Sequence, residues 1–173
     1  MQTLLKPAAP IFVCYAHEDN DPARSNCWLD CLLQFLEPLK RDGLLSIFCD
    51  KDISVGDDWH LEIQQALAKA KGAILLISPA FMASRYIENS ELPILLRKAK
   101  ENGLRMYPIL IRTCLFAETK FKYPDPKLGP EEFTLASLQY ANSPSQPLID
   151  MAVGSRDKVF LELGRNLLEL VKA

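Results

Sequence analysis

The amino-acid sequence predicts a three-layer α/β fold, with a central parallel sheet of four to five strands and helices on both faces. Three observations predict it. Short, largely apolar runs recur at Ile11 to Tyr15, Leu44 to Cys49, Ala73 to Ile77 and Met106 to Ile111, the pattern of strands buried on both sides. The segments between them carry apolar residues at helical spacing. Strands alternating with helices in this way close into a parallel sheet with right-handed crossovers. At 173 residues the chain fits one domain, large enough to bury about two-thirds of its unfolded surface.

The first run ends in the polar AHEDND, which suits a strand followed by a loop. Asp21 before Pro22 reads as a helix start, an N-cap acceptor followed by a proline at the first helical position. Trp28, Cys31, Leu32, Phe35 and Leu39 then share one helix face. Pro38 should bend the last turns and Gly43 should end the helix. After the second run, Asp50 to Asp58 is a polar loop around Gly56, and Asp57 or Asp58 caps a second helix striped by Trp59, Ile63, Ala66, Leu67 and Ala70. The third run leads to a Ser78-Pro79 turn and a helical face of Leu92, Leu95, Leu96 and Ala99 that stops near Gly103. Arg97, Lys98 and Lys100 lie on this helix and read as a solvated face. Beyond the fourth run, residues 113–147 are proline-rich and weakly periodic. An irregular loop is expected there, with a short fifth edge strand near Phe133 to Leu138. Phe160, Leu163, Leu167, Leu170 and Val171 define a terminal helix.

Composition narrows the function. Apolar residues make up 49% and charged ones 24%, as in ordinary soluble globular proteins. A net charge of -2 gives no electrostatic case for binding nucleic acid or a membrane surface. No run approaches the ~20 apolar residues of a membrane helix, and MQTLLKPAAP lacks the apolar stretch of a secretion signal. The five cysteines form no CxxC pair or Cys/His cluster, so no metal is expected. They read as reduced, mostly buried small side chains of a cytoplasmic protein.

In open α/β sheets, ligands bind beyond the carboxyl ends of the strands, where the strand order reverses. Those ends are Tyr15-Ala16-His17, Asp50-Lys51-Asp52, Ser78-Pro79 and Arg112-Thr113. Gly56 stands alone and no GxGxxG occurs, so Rossmann-type dinucleotide binding is unsupported. Glu91 is the carboxylate that falls where the crevice should open. With Pro93 confined to a first helical turn, Ser90 is expected at the N-cap, where the helix dipole would favour an ionised Glu91. Glu88 is expected to face solvent. Other residues keep two readings each. Trp59 is a core residue or a ligand platform, and His17 is solvated or touches phosphate or ribose. Asp50 contacts ligand or caps its own loop. Ser84 is a turn residue or a partner for a substrate hydroxyl.

FVCYAHED, IFCDKDISVGDDW, LLISPAFMASRYIENSEL and RMYPILIR, in that order, resemble the successive boxes of the TIR (Toll/interleukin-1 receptor) domain family, bacterial type. The likeness covers Pro10 to Arg112 closely and 113–173 by general shape. It makes 1–9 an N-terminal extension and 10–173 the domain, and it implies the flavodoxin-like form of the fold. It also implies one of two uses. Some members are non-catalytic adaptors that assemble through TIR–TIR contacts. Others, many of them bacterial, cleave NAD+ at the nicotinamide–ribose bond, giving nicotinamide and ADP-ribose or a cyclic isomer.

The resemblance maps the family's catalytic glutamate onto Glu91. Substrate contacts map onto Tyr15, Ala16 and His17 in the first-box loop and onto Asp50, Val55 and Trp59 in the second. Beside these, Ser84 and Tyr86 ahead of the glutamate are candidate contacts by their own chemistry, a hydroxyl and a ring that could stack. NAD+ would be a substrate rather than a cofactor, and no metal is implied. The implied partners are NAD+ and further copies of the domain, within a larger protein or complex of bacterial anti-phage signalling. Several active members carry a tryptophan four residues before the glutamate; here that position is Ile87, beside Tyr86. The chemistry suits a lone carboxylate. A pyridinium leaving group departs neutral and needs little acid help. One negative charge can oppose the oxocarbenium-like transition state and hold ribose hydroxyls, without the second carboxylate of ordinary glycosidases.

Overall fold

The computed structural model describes residues 7–53, 56–122, 127 and 132–173. Four strands build the central sheet: β1 (Ala9–Cys14), β2 (Leu45–Phe48), β3 (Gly72–Ile77) and β4 (Arg105–Leu110). They are parallel, in the order β2-β1-β3-β4. Among the described residues the α-helices are α1 (Trp28–Arg41), α2 (Trp59–Lys69), α3 (Pro79–Ala83), α4 (Leu92–Asn102) and α5 (Val153–Lys172). Alternation along the strands divides the core in two. Phe12, Cys14, Leu75 and Ile77 pack with Ile63 and Leu67 of α2, Phe81 of α3 and Leu95 of α4. Ile11, Val13, Ile74 and Leu76 pack on the other side with Leu32 and Leu36 of α1 and Leu163 and Leu167 of α5. This is the flavodoxin-like three-layer arrangement. β3 is buried along its whole length because both of its faces are covered.

The first helix begins later than its sequence suggests. Asp21 does cap a turn, accepting from Ala23 N at 3.0 Å, but the turn is a short 3₁₀ one, Pro22–Arg24. Ser25 then adopts a left-handed φ of 56°, which no α-helix continues through. α1 starts at Trp28 and buries Leu29, Leu32 and Leu36. The face is turned slightly from the expected one, and Cys31 is left exposed. Cys27 is exposed too and Cys114 is half-buried, so only Cys14 and Cys49 sit in the core. Just past the helix ends, Gly43 and Gly103 take φ of 71° and 66°, a conformation that glycine reaches without a Cβ clash.

Lys98 is not on a solvated face. Its Nζ donates to the carbonyls of Leu67, Ala68 and Ala70 at 2.9, 2.6 and 2.9 Å, closing the open C-terminal end of α2. Desolvation there pulls its pKa below the usual lysine range.

The expected fifth edge strand does not join the sheet among the described residues. β5 (Phe121–Lys122) and β6 (Glu132–Phe133) pair with each other as an antiparallel ribbon, and Leu135–Ser137 is a 3₁₀ turn. Residues 141–149 cover the edge of β4 instead. Ala141 N donates to Pro108 O at 2.9 Å and Ile149 N to Ile111 O at 3.0 Å. Between them the buried Asn142 side chain accepts from Leu110 N and donates to Leu110 O, both at 2.9 Å. One amide satisfies both backbone groups that another strand would have taken.

Candidate active site

Glu91 is delivered by an irregularity in the backbone. The helical path after α3 begins at Ser84, whose Oγ accepts from Ile87 N at 3.3 Å and whose carbonyl accepts from Glu88 N at 3.1 Å. A π-turn, Ile87–Glu91, then runs straight into α4, and Leu92 N donates to Ile87 O five residues back. Pro93 has no N–H to give and is tolerated where the ladder is already offset. Ser90 is therefore not the N-cap, and Glu91 does not sit in a first turn where the dipole would favour its charge. It is 6% exposed. Burial pushes its pKa up from 4.5 to about 7; the Cys14 thiol and His17 pull it down, and Asp50 adds to the rise. At neutral pH the carboxyl is divided between its two protonation states.

Cys14 Sγ donates to Glu91 Oε2 at 2.8 Å. Burial, and then the carboxylate beside it, push the thiol well above the usual cysteine range. It stays protonated, and so remains a donor.

A cleft of about 320 Å³ opens over this pair. It lies beyond the carboxyl ends of β1 and β3, where the strand order reverses. Tyr15, Ala16 and His17 form its wall after β1, and Asp50 its wall after β2. Trp59, Ser84, Tyr86 and Glu91 complete the set that the sequence nominates. Val55, the remaining nominee, lies outside the described residues.

Asp50 does not cap its own loop. Its Oδ1 accepts from Tyr15 OH at 2.7 Å, and its Oδ2 pairs with His17 Nε2. Burial, and then Asp50, raise the Tyr15 pKa, so its hydroxyl is a lasting donor. Trp59 is not core: it is 40% exposed, and its ring centroid lies 4.5 Å from that of Tyr86. The two rings make an aromatic wall at the cleft mouth. Tyr86 is pushed up to about 12 by burial and then by Glu91. Ser84 both caps the helical path and lines the cleft. Glu88 is exposed.

Sequence reasoning missed Cys14 as a partner of Glu91, and Glu18, Ala80 and Ala83 as lining residues. For Cys14 the signal was present. Alternation along β1 sets it with Phe12 and Ala16, on the face that also carries α4. The buried pair of Asp19 and Ser78 was also missed. Ser78 Oγ donates to Asp19 Oδ2 at 2.5 Å and accepts from Phe81 N at 3.0 Å, tying the loop after β1 to the start of α3. Among the described residues no group of three or more His, Cys, Asp or Glu side chains could hold a metal ion. None of the described helices is long and apolar enough to cross a membrane.

Fold and cleft together define a doubly wound α/β domain whose crevice is lined by a buried carboxyl, Glu91, able to change its proton near neutrality. The chain matches the TIR domain family over residues 11–146 and belongs to it. It is also similar to the uncharacterized protein y4lF of Sinorhizobium fredii (strain NBRC 101917 / NGR234), with 28% identity over 104 residues. That match takes in 60% of this chain and 30% of y4lF, so the chain corresponds to a minor part of that relative's length.

Proposed function

We propose that this TIR domain cleaves NAD+ at the nicotinamide–ribose bond, with Glu91 as the catalytic residue, in bacterial anti-phage signalling. The observation that carries the reading is the buried carboxyl of Glu91 lining a polar and aromatic cleft at the sheet's switch point. In the reaction, the C1′–N bond breaks and its electron pair leaves on the nicotinamide nitrogen, neutralising the pyridinium. Ionised Glu91 opposes the positive charge developing on the ribose. A water, or a hydroxyl of the substrate itself, then bonds to C1′ and releases its proton, giving ADP-ribose or a cyclic isomer. Trp59 and Tyr86 offer the nicotinamide ring an aromatic face. Tyr15, His17 and Asp50 supply polar contacts for ribose and phosphate. NAD+ is consumed as substrate, and neighbouring copies of the domain complete the site.

The test is nicotinamide release from NAD+ at high protein concentration, with wild type beside Glu91→Gln and Glu91→Ala. Release is expected from wild type, rising more than linearly with concentration, and is expected to be absent from both folded variants. No release from wild type, even when crowded, would overturn the reading in favour of a non-catalytic adaptor. One observation favours that second reading: Ile87, 3% exposed, stands where several active family members carry tryptophan. The adaptor would assemble through the loop from Lys51 to Trp59 and through α4.

A further inference from the structure

We infer that Cys14 is the positioning residue of this site, its thiol orienting the Glu91 carboxyl and governing the proton it carries. The role rests on the proposed use of Glu91, but the geometry stands by itself. Cys14 is fully buried at the end of β1, and its Sγ lies 2.8 Å from Glu91 Oε2. Among the described residues it is the hydrogen-bond donor recorded to that carboxyl. Holding Oε2 leaves the other oxygen for whatever enters the cleft. It also fixes the side chain's rotation, which a carboxyl on a helix does not fix alone.

The element chosen as donor matters. A thiol donates weakly and a hydroxyl strongly. A strong donor stabilises the ionised carboxylate and lowers the pH at which it forms, whereas removing the donor raises that pH. Sulfur therefore orients Glu91 while leaving its proton exchangeable near neutrality, where a serine would hold the carboxylate ionised. The other titratable groups facing Glu91 are His17 from the loop after β1, Asp50 from the end of β2 and Tyr86 from the turn before it. His17 and Asp50 oppose one another in their effect on Glu91. Cys14 is not itself a nucleophile, since burial and the adjacent carboxylate keep it protonated.

The experiment compares wild type, Cys14→Ala and Cys14→Ser as full chains, with two readouts. The first is the Glu91 titration midpoint, from carboxyl-¹³C glutamate NMR, its resonance assigned by loss in Glu91→Gln. The second is the acidic limb of the pH profile of kcat/KM for nicotinamide release. Cys14→Ala should move the NMR midpoint up by about one pH unit, the size of a weak charge-assisted hydrogen bond. Cys14→Ser should move it below wild type, and the kinetic limb should follow the same order. A merely structural role predicts no ordered shift, so coincident midpoints in folded proteins would overturn the proposal. If the alanine variant does not fold, the serine variant decides alone: a midpoint at or above wild type sinks the idea. Ordered NMR midpoints without nicotinamide release from any protein would uphold the role of Cys14 and remove the NAD+ reading.

Discussion

Folding favours the neutral form of Glu91 over the charged one, relative to the unfolded chain. Its pKa rises from 4.5 to about 7 on folding, so between those values the native state holds a proton that the unfolded state has released. Stability must then fall as pH rises through that window. The contribution is intact below pH 4.5 and reduced by about 3 kcal/mol above pH 7. Wild type and Glu91→Gln should therefore unfold at similar urea concentrations near pH 5, with the variant ahead by about pH 8.5. Equal separation at both pH values would contradict the burial argument. The proposed reaction runs the other way, since it uses the ionised form: kcat/KM should rise through about pH 7 and level off. Activity and stability would thus draw on opposite protonation states of one residue.

At the scale of elements, strands were easier to foresee than helix ends. β1 to β4 each fall within a residue or two of an apolar run, because parallel strands covered on both faces have little freedom in composition. Helix ends depend on backbone events that composition barely encodes. Ser25 stops a helix by its φ, and a π-turn moves Glu91 from a first turn into the interior. The role of Lys98 was equally hidden, since a lysine in the basic run Arg97, Lys98 and Lys100 looks the same whether it faces water or a neighbouring helix end. Lys98→Met keeps the stem but strips three carbonyls of their donor. It should cost about 1–2 kcal/mol in urea unfolding, with the fold retained by circular dichroism.

For the whole molecule, topology explains why so much of the candidate site could be nominated. Strand ends converge at the switch point whatever their side chains, so residues at the ends of β1, β2 and β3 meet once the strand order is known. Contacts between elements were not legible in this way. The thiol donating to Glu91, the hydroxyl of Ser78 on Asp19 and the amide of Asn142 on Leu110 all join residues far apart in the chain. Asn142 also guards the integrity of the sheet. Asn142→Ala would leave Leu110 N and O unpaired between the two backbone bonds that remain at that edge, costing about 2–3 kcal/mol and weakening its protection against strand addition. Size-exclusion chromatography and urea unfolding together should show weaker folding and new large species. A monodisperse variant of unchanged stability would argue that the edge is protected by other means.

The pairing of Trp59 with Tyr86 gives the chain an optical address at its cleft. Only two tryptophans are present. The other, Trp28 at the start of α1, packs against the opposite core cluster, with the Arg156 guanidinium of α5 5.0 Å from its ring centroid. With Trp28→Phe, emission would come from the cleft mouth alone. A pyridine or purine ring that displaced Tyr86 or lay against Trp59 would change that emission on contact, before any bond is broken. Occupancy could then be followed in real time in a Glu91 variant that cannot turn over, separating what enters the cleft from what happens to it there.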